Sequence, residues 1–159
     1  MILVLLGTQN NSFIRLLEAI QKNIDNKVIT DEVIVQAGFT KFESKDMKVL
    51  DLIDKEELSK LQDRADLIIT HGGVCSIISS LKKGKKVIVV PRLKKYGEHV
   101  NNHQIQIARR FEQEGYVKHV INLKNLEKVL ESIESFTPRP YENDESNVLT
   151  IIENYINNN

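Results

Sequence analysis

Apolar segments of strand length alternate along the chain with segments whose apolar residues recur at helical spacing. The strand-length segments comprise residues 2–6, 32–37, 48–53, 67–70, 87–90 and 117–121. The segment 67–70 is continuously apolar and β-branched, which is typical of a strand at the centre of a parallel sheet. The pattern predicts an α/β domain with a Rossmann-like, mostly parallel sheet of about six strands and helices on both faces.

Residues that favour helix starts stand between these strands. Asp54 and Glu57 have the spacing of a capping box, which predicts a helix from Asp54 onward. A further helix is expected directly after the paired glycines Gly72 and Gly73. The helix after the first strand would have Ser12 as its N-cap. Its inner face would consist of Phe13, Leu16, Leu17, Ile20 and Ile24.

A proline-containing break divides the chain near its end. Residues 137–140 read Thr-Pro-Arg-Pro, so we expect the Rossmann-like domain to span residues 1–136. Residues 137–159 would form a connection and an amphipathic C-terminal helix of the same domain. The apolar stripe of that helix comprises Val148, Ile151, Ile152, Tyr155 and Ile156. Such a stripe either packs on its own sheet or docks on a partner.

Composition narrows the class of protein. The 22 Lys and Arg residues are balanced by 22 Asp and Glu residues, which argues against a general nucleic-acid binder. The only cysteine is Cys75, so an internal disulfide is excluded and a reducing compartment is favoured. The apolar run 1–6 is too short for a membrane span or a signal sequence. We therefore expect a cytoplasmic protein that reaches the membrane only peripherally or through a partner.

The turn at residues 71–76, His-Gly-Gly-Val-Cys-Ser, is the first candidate for chemistry. It follows a predicted buried strand and leads into a helix, where unpaired N–H groups favour an anion. Its glycines let a ligand approach the backbone, and Ser76 adds a hydroxyl donor. Paired glycines also serve tight strand-to-helix packing, which is the simpler alternative.

The loop at residues 91–104 is the second candidate. It offers cations, a carboxylate, two imidazoles and an amide within fourteen residues, a mixture suited to phosphates and sugar hydroxyls. Because it also follows a strand, both turns are expected at the same edge of the sheet. The alternative is a solvated polar loop without a ligand.

Two other interpretations are weaker. His99 and His103 stand four residues apart, but no third metal ligand stands at a suitable spacing, so no metal site is predicted. Cys75 near His71 has the composition of a nucleophile and its base. A lone cysteine at the start of a buried helix is more often a small core residue, and we expect that here.

An ordered series of motifs resembles the donor-binding half of GT-B glycosyltransferases. The resemblance covers nearly the whole chain. The GT-B enzymes that it concerns are the peptidoglycan GlcNAc transferase, the small subunit of the eukaryotic split GlcNAc transferase of N-glycan assembly, and bacterial capsule and exopolysaccharide subunits. It rests on Gly7-Thr8 with Phe13, on Gln36-Ala37-Gly38, on Ala65-Asp66 leading to His71-Gly72-Gly73 and Ser76, on the segment 84–92, and on the segment 98–104.

The resemblance implies a role for each turn in binding a UDP-sugar. Gly72, Gly73 and Ser76 would hold the diphosphate, while Pro91 and Arg92 would border the uracil and the ribose. The candidate UDP-sugar-binding residues are Thr8, His71, Gly72, Gly73, Ser76, Pro91, Arg92, Glu98, His99, His103 and Gln104. No metal and no cofactor besides the UDP-sugar substrate is implied.

The remaining implied contacts concern the sugar and the ribose. His103 and Gln104 would face the donor sugar, and Thr8 would line the cleft toward the acceptor half. Larger relatives have a ribose-binding Glu where this chain has Ser79. A serine cannot make the bidentate contact of a carboxylate, so Glu98 is a candidate substitute.

The resemblance implies the catalytic, donor-binding subunit of a two-component inverting glycosyltransferase. Such an enzyme would transfer a hexose from a UDP-sugar to a lipid-linked saccharide in exopolysaccharide or capsule biosynthesis. Inversion needs a second wall that holds the acceptor hydroxyl and removes its proton. One small domain supplies only one wall of the acceptor cleft, so a partner is expected. The partner would be a membrane-anchored, acceptor-binding subunit that carries the base. It would recruit this chain to the inner face of the membrane. The alternatives are a non-catalytic nucleotide-sugar-binding or regulatory module, and an unrelated adenine-nucleotide binder.

Overall fold

A computed structural model describes residues 1–142 of the chain. Over these residues it has six strands: β1 Ile2–Leu5, β2 Val33–Gln36, β3 Met47–Leu50, β4 Leu67–Thr70, β5 Lys86–Val89 and β6 Lys118–His119. They form one sheet in the order β3-β2-β1-β4-β5-β6, and every pair is parallel. The predicted α/β class and the central place of the strand at 67–70 are confirmed. The apolar stripe predicted at 148–156 lies outside the described residues.

Five α-helices connect and cover the strands in this part of the chain: α1 Ile14–Asp25, α2 Lys55–Arg64, α3 Val74–Lys82, α4 His103–Gln113 and α5 Leu126–Ser132. Short 3₁₀ turns lie at Lys94–Tyr96, Leu123–Asn125 and Ile133–Ser135. Within residues 1–142, none of the helices has the length and apolar character that crossing a membrane requires.

The sheet is covered on both faces, as predicted. Side chains of β1 alternate between the two cores, so Val4 packs with one set of helices and Leu5 with the other. The first core contains Leu17 of α1 and Leu130 of α5. The second core contains apolar residues of the other three helices, namely Leu61, Ile77, Leu81, Ala108 and Phe111. Helices α1 and α5 therefore lie on one face, and α2, α3 and α4 lie on the other.

The chain reverses its direction of winding between β1 and β4. From β1 the next two strands are added on one side, whereas β5 and β6 are added beyond β4 on the other side. The two central strands lie in register, with Leu5 opposite Thr70. In open α/β sheets, ligands bind outside the carboxyl ends of the strands at such a reversal. The loops that follow β1 and β4 are therefore neighbours at the position where a ligand is expected.

One predicted helix cap is confirmed and another is wrong. Asp54 caps α2, because its Oδ1 accepts a hydrogen bond of 2.8 Å from the Glu57 N–H. Ser12 does not cap α1, which has Phe13 at its N-cap position and no side-chain cap. The Phe13 N–H donates instead to Thr40 Oγ1 at 3.0 Å, and the Phe13 ring is buried. The chain therefore enters α1 anchored to the loop after β2 rather than by a local serine cap.

Four of the six predicted strands are longer than the observed ones, whereas the strands predicted at 67–70 and 87–90 have the observed length of four residues. The segment 48–53 was expected to be a strand, but β3 ends at Leu50. The segment that follows β2 leaves the sheet at Gly38, because the φ of +59° there is left-handed. Strand β3 therefore has no neighbouring strand beyond this point. The segment 117–121 is reduced to Lys118–His119, an edge strand that pairs with β5 alone.

Candidate functional site

The two turns predicted to bind a ligand meet at the carboxyl edge of the sheet. They are joined by Gln104, the second residue of α4. Its Oε1 accepts hydrogen bonds from the Gly72 N–H at 3.0 Å and the Arg92 N–H at 2.9 Å. Gln104 is 5% exposed, so this junction is buried beneath the edge. The turn after β4 and the loop after β5 are thus held at a fixed distance from one another.

Glycines make room for the His71 ring between two loops. A Cβ on Gly73 would stand 2.2 Å from His71 Cε1, and a Cβ on Gly7 would stand 2.7 Å from His71 Nε2. A Cβ on Gly72 would stand 2.5 Å from the Gln104 Cβ. Such distances are below any normal carbon contact, so a larger residue would displace the ring or the amide. Tight packing, which was the simpler explanation for the paired glycines, is therefore part of their role.

The N-terminus of α3 faces the same edge. Gly73 occupies the N-cap position without a side-chain cap, and the first turn contains no acidic residue. The first N–H groups of a helix have no partner inside the helix, and its dipole favours a negative charge there. The half-buried Ser76 adds a hydroxyl, whose Oγ lies 3.4 Å from His71 Nε2. The arrangement suits a phosphate or another anion.

Cys75 is exposed, so the expectation that it is a small core residue is wrong. Helix α3 buries Ile77, Ser80 and Leu81, which places Cys75 on the outward face of the first turn. The His71 imidazole contacts Ser76 and Gln104, not this thiol.

His71 is neutral at physiological pH. Burial, together with smaller electrostatic contributions from Arg92 and His99, lowers the pKa of its imidazole to about 4. The pKa of His99 is also lowered, first by burial and then by Arg92 and His103. His71 therefore acts at this edge as a neutral hydrogen-bonding group rather than as a cation for a phosphate.

Arg92 points into the protein. Its Nη1 donates to the Asn11 carbonyl at 2.7 Å and the Glu98 carbonyl at 3.1 Å, and its Nη2 donates to the Leu6 carbonyl at 2.5 Å. The guanidinium also lies 5.1 Å from the centre of the Phe13 ring. The side chain therefore ties the loop after β1 to the loop after β5, and the expectation that Arg92 borders the uracil and ribose stays a prediction.

Glu98 is buried close to Arg92, and its carboxylate is hydrogen-bonded within the protein. Its Oε1 accepts from Arg15 Nε at 2.7 Å, and its Oε2 accepts from Arg15 Nη2 at 3.0 Å and from the Leu93 N–H at 2.9 Å. Both carboxylate oxygens are thus used inside the protein. These contacts do not favour the suggestion that Glu98 replaces the ribose-binding Glu, which stays a prediction.

The Ser79 hydroxyl is also used inside the protein. Its Oγ accepts from Gln62 Nε2 at 2.9 Å and donates to the Ser76 carbonyl at 3.1 Å. The first contact joins α2 to α3, and the second lies within α3, so the hydroxyl is used as both acceptor and donor inside the protein. The residue that binds the ribose is therefore not identified by these two sets of contacts, and ribose recognition by Ser79 or Glu98 stays a prediction.

The other predicted site residues lie at the edge, and their ligand contacts stay predictions. Thr8 is exposed in the loop after β1, and Pro91 is buried where β5 ends. His99 is half-buried, with Nε2 3.0 Å from Gln9 Nε2 and Nδ1 accepting from the Asn101 N–H at 3.2 Å. His103 is half-buried at the start of α4. Within residues 1–142 no cluster of three or more His, Cys, Asp or Glu residues is placed to hold a metal ion.

Sequence reasoning missed Arg15 and Asn11, which hold the loops of the edge together. The Asn11 Nδ2 donates to the Gly97 carbonyl at 2.8 Å, and Arg15 forms the bidentate pair with Glu98. A signal for Arg15 existed in the sequence. A cation in the first turn of a helix interacts unfavourably with the helix dipole. Such a residue is therefore expected to pair with a carboxylate from another part of the fold.

The fold and the edge define a class of protein. A parallel sheet with this strand order, and a glycine turn leading to an uncapped helix at the reversal, is a Rossmann-like domain of the kind that forms one half of the GT-B fold. Solved structures support the fold: the glycotransferase of kitacinnamycin has a TM-score of 0.62 at 16% identity over 85% of this chain and 35% of that one. MurG of Acinetobacter baumannii has a TM-score of 0.58 at 17% identity over 82% of this chain and 40% of that one.

The family follows from the sequence match. The model of the glycosyltransferase family 28 C-terminal domain matches residues 1–157, and the chain belongs to this family. The resemblance inferred from the motifs is thereby confirmed.

Curated relatives are named UDP-N-acetylglucosamine transferase subunit ALG13. The Mus musculus protein is 38% identical over 63 residues, which are 40% of this chain and 5% of that protein. The Candida glabrata protein is 30% identical over 102 residues, which are 64% of this chain and 48% of that protein. The matches thus span less than half the length of these relatives. An NMR solution structure of ALG13 has a TM-score of 0.56 at 23% identity, covering 87% of each chain.

Proposed function

We propose that this chain is the donor-binding, catalytic subunit of a two-component inverting glycosyltransferase that uses a UDP-sugar. The observation that carries the proposal is the uncapped N-terminus of α3, next to Ser76, at the reversal of the sheet. Membership of glycosyltransferase family 28 supports sugar transfer. The names of the curated relatives support both a UDP-sugar and a subunit organisation.

The chemistry proposed for this edge is stabilisation of the leaving group. In an inverting transfer, the acceptor oxygen forms a bond to the anomeric carbon while the bond from that carbon to the diphosphate breaks. UDP leaves with the bonding electrons, so negative charge grows on its phosphate oxygens. N–H groups and a hydroxyl that already point at this position stabilise the charge without rearrangement.

The proton of the acceptor hydroxyl needs a base, which we assign to a partner subunit. The neutral, buried His71 and the paired Glu98 are unsuited to that task in this chain. The partner would be membrane-anchored and would hold a lipid-linked saccharide acceptor. It would recruit this chain from the cytoplasm to the inner face of the membrane.

For the donor and the pathway, we propose hexose transfer in exopolysaccharide or capsule biosynthesis. Since the curated relatives are named for UDP-N-acetylglucosamine, that donor belongs in the same test as UDP-glucose, UDP-galactose and UDP-glucuronic acid. The chain is co-expressed with its partner, and transfer from each donor to lipid-linked acceptor is measured in membranes. We expect transfer from one donor of the panel.

The matched variants in this assay are Ser76→Ala and Ser132→Ala. Loss of the Ser76 hydroxyl should lower turnover by roughly 10- to 100-fold, the scale of one hydrogen bond to a charged group. The Ser132 hydroxyl donates only to the Val129 carbonyl in its own helix, so its loss should leave turnover unchanged. Absence of transfer from every donor, with both subunits folded, would contradict the proposal.

A non-catalytic nucleotide-sugar-binding module is the second candidate. It is favoured by Ser79, whose hydroxyl is used by Gln62 and Ser76 instead of facing a ribose. The two candidates differ in turnover, since the module would bind UDP and transfer no sugar.

A further inference from the structure

A line of polar side chains runs beneath the glycine turn, from Gln104 through His71 to Ser76. It starts at the Gln104 Oε1, which accepts from the N–H groups of Gly72 and Arg92. Both lone pairs of this oxygen are therefore used, and the orientation of the amide is determined by the backbone. The amide nitrogen Nε2 must then face His71, and its distance to Nδ1 is 3.4 Å.

This orientation determines which nitrogen of His71 carries the proton. An amide NH₂ group only donates, so His71 Nδ1 must accept from it. In a neutral imidazole the proton is then on Nε2, which lies 3.4 Å from Ser76 Oγ. Burial lowers the pKa of this imidazole to about 4, so the neutral form is the one present at pH 7.

The ring has little freedom to turn over. It is 8% exposed and is wedged between Gly7 and Gly73, where added Cβ atoms would stand 2.7 and 2.2 Å away. Its Nε2–H therefore donates to the oxygen of the Ser76 hydroxyl. Since that oxygen accepts from His71, the proton of the hydroxyl points away from the ring. The proton is thereby left for an acceptor outside this line of side chains, such as an anion at the N-terminus of α3.

We propose that His71 and Gln104 are positioning residues of the donor site, which hold the Ser76 hydroxyl as a hydrogen-bond donor to the diphosphate without contacting the UDP-sugar themselves. The inference rests on the proposed function and deepens it. It replaces the expectation that His71 and Gln104 bind the donor directly. Ser76 remains the group that contacts the ligand.

A first test uses the wild-type full chain without any ligand. Multiple-bond ¹H–¹⁵N NMR spectra at pH 7 report which ring nitrogen of His71 is protonated. The expected result is a neutral ring with the proton on Nε2. A proton on Nδ1, or a charged ring, would overturn the proposal, because Gln104 Nε2 would then have no acceptor.

A second test is a double-mutant cycle with UDP as the probe. The affinity of the full chain for UDP is measured by calorimetry for wild type, Ser76→Ala, His71→Asn and the double variant. Each single substitution should raise Kd about 10-fold, the scale of one hydrogen bond to a charged group. If His71 acts through Ser76, the double variant should also be weakened only about 10-fold. A weakening near 100-fold would mean independent contacts and would overturn the proposal.

The control substitution is His71→Gln. A glutamine amide reaches as far along the side chain as Nε2, whereas an asparagine amide reaches only as far as Nδ1. His71→Gln should therefore keep Kd within about 3-fold of wild type by donating to Ser76. Equal loss in both variants, at matched thermal stability, would overturn the role of Nε2. Absence of UDP binding by wild type, alone and with the partner, would instead defeat the proposed function itself.

Discussion

Glu98 and Arg15 form a two-point ion pair beneath the loop that follows β5. Glu98 is 3% exposed, and its carboxylate also accepts from the Leu93 N–H. Glu98→Gln would leave the charge of Arg15, whose side chain is 21% exposed, without its carboxylate partner. We expect the free energy of unfolding in urea to fall by about 2 kcal/mol.

The matched control for Glu98→Gln is Asp51→Asn. Asp51 pairs with Lys41 at the surface, where the two side chains are 72% and 81% exposed. Exposed pairs contribute little, so the free energy of unfolding should change by less than about 0.5 kcal/mol. Equal effects of the two substitutions would contradict the supporting role of Glu98.

His71 makes stability depend on pH in a defined direction. Its pKa is about 4 in the folded chain and near the ordinary 6.5 in the unfolded chain. Between these values the unfolded chain binds more protons, so stability is present above pH 6.5 and is lost as the pH falls toward 4. The loss attributable to this residue should reach about 3 kcal/mol at pH 4.

The measurement compares the free energy of unfolding at pH 7 and pH 4.5 in wild type and His71→Gln. Carboxylates and His99 titrate in both proteins, so the difference between the two isolates His71. The wild type should lose more stability on acidification than the variant. The same loss in both would show that His71 is not buried in its neutral form.

For single residues, the sequence predicted which polar side chains lie at the carboxyl edge, but not whether those side chains face solvent or the protein interior. Loop position placed Arg92, Glu98 and Gln104 at the carboxyl edge, and they lie there. Their polar groups are paired inside the protein with residues far away in the sequence, such as Arg15 and the Leu6 carbonyl. A polar side chain in a loop is usually solvated, so only tertiary structure could identify these as internal contacts.

Among the elements, helix α2 offers a direct test of capping. Asp54→Ala removes the acceptor of the Glu57 N–H and should lower the free energy of unfolding by about 1 kcal/mol. Ser12→Ala, at the position where a cap was predicted for α1, should change it by less than about 0.5 kcal/mol, since Ser12 is exposed and α1 has no side-chain cap. A comparable loss in both variants, measured in urea, would contradict this assignment.

The order of elements was predictable because each strand and helix has its own apolar pattern. The ends were not. The end of β3 depends on the left-handed turn at Gly38 in the neighbouring segment, and the start of α1 depends on the Thr40 hydroxyl. Both are contacts between segments, which periodicity within one segment cannot report.

For the whole molecule, the decisive feature is that three loops converge where the sheet reverses its winding. Parallel pairing of β1, β4 and β5 places the ends of all three strands at one edge. This convergence was predictable from the strand-turn-helix pattern, since parallel strands share an edge. The edge forms one wall, and a complete transferase needs a second one to hold the acceptor.

The most direct test of this account is a titration of the ¹⁵N-labelled full chain with UDP, followed by NMR and repeated with ADP. We predict saturable shifts of the backbone amides of residues 72–76, with smaller shifts in residues 91–104 and a weaker response to ADP. Shifts confined to residues away from the carboxyl edge, or no UDP binding even with the partner subunit present, would contradict it.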